Sequence, residues 1–85
     1  MSVRIVYFAW VRERIGLGEE VIELPPGVVT VADLIEMLAQ RGEDYEAAFE
    51  HRAVIRAALD QEHVDHDTPI GSAREIALFP PMTGG

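Results

Sequence analysis

Phe79-Pro80-Pro81 constrains this chain more than any other stretch. Two consecutive prolines fix φ and donate no hydrogen bond, so a strand arriving at Phe79 has to stop there. Pro80 and Pro81 then favour an extended polyproline segment. At about 3.1 Å per residue, Pro80 to Gly85 reaches on the order of 19 Å from the folded body. Met82 and Thr83 lead into Gly84 and Gly85, a tip without side chains that fits a narrow channel. Frayed ends are polar and mixed in composition. This one is apolar, stiffened and bare at the tip, which is the form of a segment that threads into another protein. The expected division is a folded domain over 1–79 and a tail over 80–85.

Upstream of the tail the hydrophobic periodicity switches repeatedly between strand and helix. Val3 to Ala9 alternates, with Val3, Ile5, Tyr7 and Ala9 on one face and Arg4, Val6 and Phe8 on the other. Apolar residues on both faces mark a strand inside a sheet. Trp10 to Ile15 predicts a short helical turn closed by Gly16 and Gly18, and Val21 to Leu24 a second strand broken by Pro25-Pro26-Gly27. Thr30 to Arg41 predicts a helix. Thr30 and Asp33 can form a capping box, Val31, Leu34, Ile35 and Leu38 make a buried stripe, and Gly42 is the expected stop. Asp44 to Leu59 is open to two readings, since propensity alone makes much of it one helix. Asp60 to Glu62 predicts a tight turn, His63 and Val64 a return strand, and Glu75 to Phe79 a last alternating strand.

The residue inventory removes several kinds of chemistry. With no cysteine there is no disulfide, thiolate nucleophile or persulfide carrier. His63, Asp65, His66 and Asp67 crowd one loop, but no further His or Cys completes a tetrahedral set, so no metal is expected. No catalytic triad or phosphate-binding glycine loop stands out, and nothing makes this chain an enzyme alone. His51 and the acidic run Glu43–Glu50 fit a solvated helix face. A net charge of −8 argues against nucleic acid and for partners with basic clefts. No secretory signal or membrane-spanning run is evident, and the expected location is the cytoplasm. All seven basic residues are arginine, so the chain cannot build lysine-linked polymers of itself.

Phe79-Pro80-Pro81-Met82-Thr83-Gly84-Gly85 resembles the end of the small-subunit family of molybdopterin synthase, within the ubiquitin-like sulfur carriers. Tyr7-Phe8-Ala9 with Val11-Arg12-Glu13 resembles the family's first strand and turn, and Val64 to Ile70 its late turn. The likeness runs in one register from Val3 to Gly85. It departs at Ser72-Ala73-Arg74, where the family has Asp-Gly-Asp, and at Asp60, where Asn is common. A turn rebuilt on Gly71 is expected, because alanine tolerates positive φ poorly.

The resemblance implies an α+β, β-grasp fold: a mixed sheet on one main helix, with a short helix near Tyr45 to Glu50 and a strand ending near Leu59. In it the first and last strands lie parallel, so Arg4 should meet Glu75, and Phe8 should meet Phe79 where the tail leaves. An apolar patch at the tail's foot would be a docking surface.

The resemblance also implies a mechanism. An adenylating enzyme like those that activate ubiquitin uses ATP to convert the Gly85 carboxylate to an acyl-adenylate. A sulfur donor enzyme then displaces AMP and leaves a thiocarboxylate. The charged tail enters the large synthase subunit and gives its sulfur to a cyclic pterin phosphate. Gly84 supplies clearance, Pro80, Pro81, Met82 and Thr83 supply reach, and Phe8, Arg12 and Phe79 match positions that contact partners. This chain itself binds no cofactor. Two alternatives stay open: a sulfur carrier for thiamine, cysteine or tRNA thiolation, and a ubiquitin-like modifier joined through Gly85 to a target lysine.

Overall fold

The computed structural model describes residues 2–81. Met82, Thr83, Gly84 and Gly85 lie outside the described residues, and with them most of the expected tail. Within 2–81 the order is β1 (Ser2–Tyr7), α1 (Ala9–Ile15), β2 (Glu19–Glu23), α2 (Val31–Ala39), α3 (Glu43–Ala48), a 3-10 turn (Arg52–Val54), β3 (Arg56–Leu59), β4 (Glu62–Val64) and β5 (Glu75–Phe79). The strands form one sheet in the order β2-β1-β5-β3-β4. β1 and β5 are parallel, and the other neighbours are antiparallel. This is the mixed β-grasp sheet that the resemblance implies.

The inner face is built from alternate strand residues. Val3, Ile5 and Tyr7 of β1 and Ile76 and Leu78 of β5 are buried against Val31, Leu34, Ile35 and Leu38 of α2. The capping box that starts α2 is present. The Thr30 hydroxyl accepts from the Asp33 N–H at 3.2 Å. The Asp33 carboxylate accepts from the Thr30 and Val29 N–H groups, both at 3.0 Å. Those backbone donors, Thr30 first, hold the Asp33 carboxyl below its ordinary range.

A second polar device closes the edge of the core at Glu20. Its carboxylate accepts from the Tyr7 hydroxyl at 2.8 Å and the Tyr45 hydroxyl at 2.7 Å, and pairs with Arg41 at 3.1 Å. β1, β2, α3 and the turn after α2 are thereby tied at one point. Burial first, and then the Glu20 hydrogen bond, push both phenols above their usual range.

Several boundaries differ from expectation. β1 ends at Tyr7, and Ala9 does not join the inner face; it is exposed, at φ 52°, and opens α1. The backbone turns away from the sheet as soon as the Phe8 N–H has reached the Leu78 carbonyl at 3.2 Å. β2 begins at Glu19, two residues early, because antiparallel pairing runs on to Val6↔Glu19. α2 ends at Ala39, not Arg41, and Gly42 is not its stop. Gln40 and Arg41 tighten the last turn by donating three residues back, to Met37 at 3.2 Å and Leu38 at 3.0 Å. Gly42 instead opens α3, its carbonyl accepting from the Glu46 N–H at 2.9 Å. Of the two readings of 44–59, the short helix followed by a strand is the one that forms. Gly71 takes the left-handed conformation expected of it, at φ 58°.

Candidate functional site at the foot of the tail

The site is set by how β1 and β5 run. They are parallel with Arg4↔Glu75, Ile5↔Ile76, Val6↔Ala77 and Tyr7↔Leu78 in register. Side chains alternate along each strand, so Arg4, Val6 and the following Phe8 share the outer face with Glu75, Ala77 and Phe79. Arg4 and Glu75 form an ion pair at one end of this face. Phe8 and Phe79 meet at the other, with ring centroids 6.4 Å apart at 85°. Phe8 is 47% exposed, which is far more than a core aromatic would be.

The β3–β4 hairpin adds a third ring. Its turn places Asp60 at φ 48° and Gln61 at φ 73°, the two-residue geometry that matches sheet twist. Asp60 steadies that turn: its carboxylate accepts from the Arg74 and Glu75 N–H groups at 2.9 and 3.0 Å. The resulting register sets His63 opposite Ala58, which lies opposite Ala77. The His63 ring stands 5.2 Å from the Phe79 ring. Phe8, Phe79 and His63 thus form a row of three rings where Pro80 leaves the sheet. Ala58 and Ala77, both buried, floor the space beside them.

Arg12 lies one helical turn after Phe8, its N–H donating to the Phe8 carbonyl at 3.3 Å. Its guanidinium lies over Gly18; a Cβ there would stand 3.2 Å from it. Arg12 is exposed and faces a separate cleft with Ala9, Glu13 and Leu17, so the structure joins Phe8 to Phe79 but not Arg12 to either ring. Pro80 and Pro81 are half-buried, and Pro81 lines an open cleft of about 440 Å³ with Val54, Ile55 and His66. Both of these clefts are open, which suits a protein partner more than an enclosed small substrate.

On sequence alone His63 enters as part of a return strand and as a metal-ligand candidate that is set aside, not as part of a docking surface. The signal was present in the spacing: a two-residue turn at Asp60-Gln61 pairs 58 with 63 and puts both on the outer face. Among the described residues no group of His, Asp and Glu is placed to hold a metal ion. No helix among them is long and apolar enough to cross a membrane.

Comparison with known proteins gives the same architecture and more. The molybdopterin synthase sulfur carrier subunit of Escherichia coli is 32% identical over 83 residues, covering 98% of this chain and 99% of that protein. A Pyrococcus furiosus structure, described as molybdopterin converting factor subunit 1, superposes with a TM-score of 0.76 at 31% identity. It covers 96% of this chain and 99% of its own. The complex of subunits 1 and 2 of the molybdopterin-converting factor from Helicobacter pylori contains a chain that matches with a TM-score of 0.65 at 26% identity, covering all of both chains. The sequence profile of the ThiS family matches residues 5–85, and this chain belongs to the ThiS family.

Proposed function

We propose that this chain is a sulfur carrier, the small subunit of a molybdopterin synthase. The observation that carries the reading is its end-to-end likeness to a molybdopterin synthase sulfur carrier subunit, 32% identical across nearly all of both proteins. The geometry supports it: an exposed aromatic patch sits where Pro80 leaves the sheet.

The proposed reacting group is the Gly85 carboxylate. A carboxylate is ionised near neutral pH and is a poor electrophile. An adenylating partner joins it to AMP and releases pyrophosphate from ATP. Sulfide-level sulfur from a donor enzyme then attacks the acyl carbon, AMP leaves, and a thiocarboxylate results. In the large subunit that sulfur attacks an oxygen-bearing carbon of the cyclic pterin phosphate, and the C–O bond there breaks, the oxygen leaving as phosphate ester or as water. Water cleaves the resulting thioester, leaving sulfur on the pterin and the carboxylate on Gly85. The chain itself binds no cofactor in this scheme.

Phe8 and Phe79 form the proposed docking patch, with Arg12 on a flank. A net charge of −8 steers the subunit toward a basic partner. The proposed assembly is a heterotetramer of two small and two large subunits, working in the cytoplasm. Mixing thiocarboxylated protein, purified large subunit and cyclic pterin phosphate tests the reading. It predicts dithiolene formation at two sulfurs consumed per pterin. A pterin left unchanged by charged protein that does bind the large subunit would overturn it.

A further inference from the structure

We propose that His63 makes docking through the aromatic patch dependent on pH, with protonation of its imidazole weakening the complex. The inference rests on the docking reading above and concerns a residue outside Phe8, Phe79 and Arg12. Its basis is position. The register carries a transverse row over the outer face, Glu19–Val6–Ala77–Ala58–His63, from one edge strand to the other. The interior of that row is apolar. His63 ends it, and its ring extends the Phe8–Phe79 pair at 5.2 Å from Phe79. A partner that covers Phe8 and Phe79 therefore also covers or borders the imidazole.

Charged groups of both signs stand near His63. On β3, Ala58 lies opposite His63; Arg56 and Asp65, which follows just past β4, line one open cleft with it. Arg56 and Asp65 are both exposed and of opposite sign. β5 contributes the Phe79 ring, and Glu62 points to the other face of β4. No buried counter-ion stands ready for an imidazolium among the described residues. Closing a partner over the patch strips water from the imidazole, which disfavours its charged form. A partner basic enough to attract this acidic chain repels the new charge as well. Both effects have the same sign.

Calorimetric titration of the chain into its cognate large subunit at pH 7.5 and pH 5.5 tests the proposal, using the parent, His63→Leu and His63→Gln. Where the protonated imidazole is excluded from the complex, affinity falls by up to about tenfold for each pH unit on the acid side, which sets a loss of roughly tenfold across that range. The parent should lose about that factor beyond any loss shared with the variants, because titration of the partner affects all three alike. His63 is exposed on an edge strand, so both variants should melt like the parent. Equal pH slopes in parent and variants, with binding intact at pH 7.5, would overturn the inference and leave the docking reading standing. No binding by the parent at either pH would overturn the docking reading itself, and this inference with it.

Discussion

The rings of Phe8 and Phe79 meet edge to face, 6.4 Å apart at 85°, although the two residues sit near opposite ends of the chain. Parallel pairing of β1 and β5 brings them together, with the register continuing to the Phe8 N–H on the Leu78 carbonyl. Strand alternation keeps both on the outer face, where the core has no use for them. Pro80 then ends the strand beside them. A sheet, two aromatics and a proline break thus converge at one edge of the fold.

Phe8→Arg and Phe79→Arg should each weaken binding to the large subunit by several kcal/mol, since each buries an unpaired charge at the patch. Phe8→Arg should leave the melting temperature unchanged, because the side chain is already 47% exposed. Calorimetric titration reads the affinity. Parental affinity in both variants would show that docking uses another surface.

Glu20→Ala should destabilise the fold by about 1–3 kcal/mol, because it leaves the buried Tyr7 hydroxyl without its acceptor. Thermal melts should show a loss of roughly 4–8 °C per kcal/mol for a domain of this size. Glu20→Gln keeps an acceptor and should cost less. The same contact gives an alkaline signature. Tyr7 stays protonated above the usual phenol range in the fold, so its contribution is complete below about pH 10 and lost as pH rises further. Denaturant titrations at pH 9 and above measure it.

The capping box supplies the acid counterpart. Backbone donors from Thr30 and Val29 depress the Asp33 carboxyl, so its stabilising effect is complete above its ordinary titration near pH 4 and disappears as pH falls through the depressed value. Asp33→Asn should therefore be less stable than the parent at pH 7, with the gap closing below about pH 4. Thr30→Ala, which removes the other half of the box, should cost about 1 kcal/mol. Chemical unfolding of both variants at pH 7 and pH 3 checks the pair.

Much of this was legible in the sequence, and the failures are local. Alternation in Val3–Tyr7 and Glu75–Phe79 foretold the faces, and with parallel pairing it foretold Arg4 on Glu75 and Phe8 on Phe79. Thr30 and Asp33 announced the helix start through their own side chains. Helix ends were harder to place. Gly42 looked like the stop for α2, but Arg41 is drawn to Glu20 and the Tyr45 ring, and the helix tightens and ends first. Ala9 could not be foreseen at positive φ, because alanine has no preference for it and the residue sits where the chain turns from β1 into α1. Glu20 reaches a partner 25 positions away, and no local pattern encodes such a contact. His63 was visible as a histidine, but its place in the ring row depended on a two-residue turn fixing the hairpin register.

Intact-mass analysis after charging tests the central claim most directly. Incubation with a cognate adenylating enzyme, ATP and a sulfur donor should raise the mass by one oxygen-to-sulfur exchange, and fragmentation should place it on Gly85. The sequence has no cysteine to hold sulfur elsewhere. Deleting Gly85, or adding one alanine after it, should abolish charging while leaving the melting temperature unchanged. Sulfur on any other residue, or normal charging of the alanine-extended protein, would contradict the assignment of Gly85 as the carrier site.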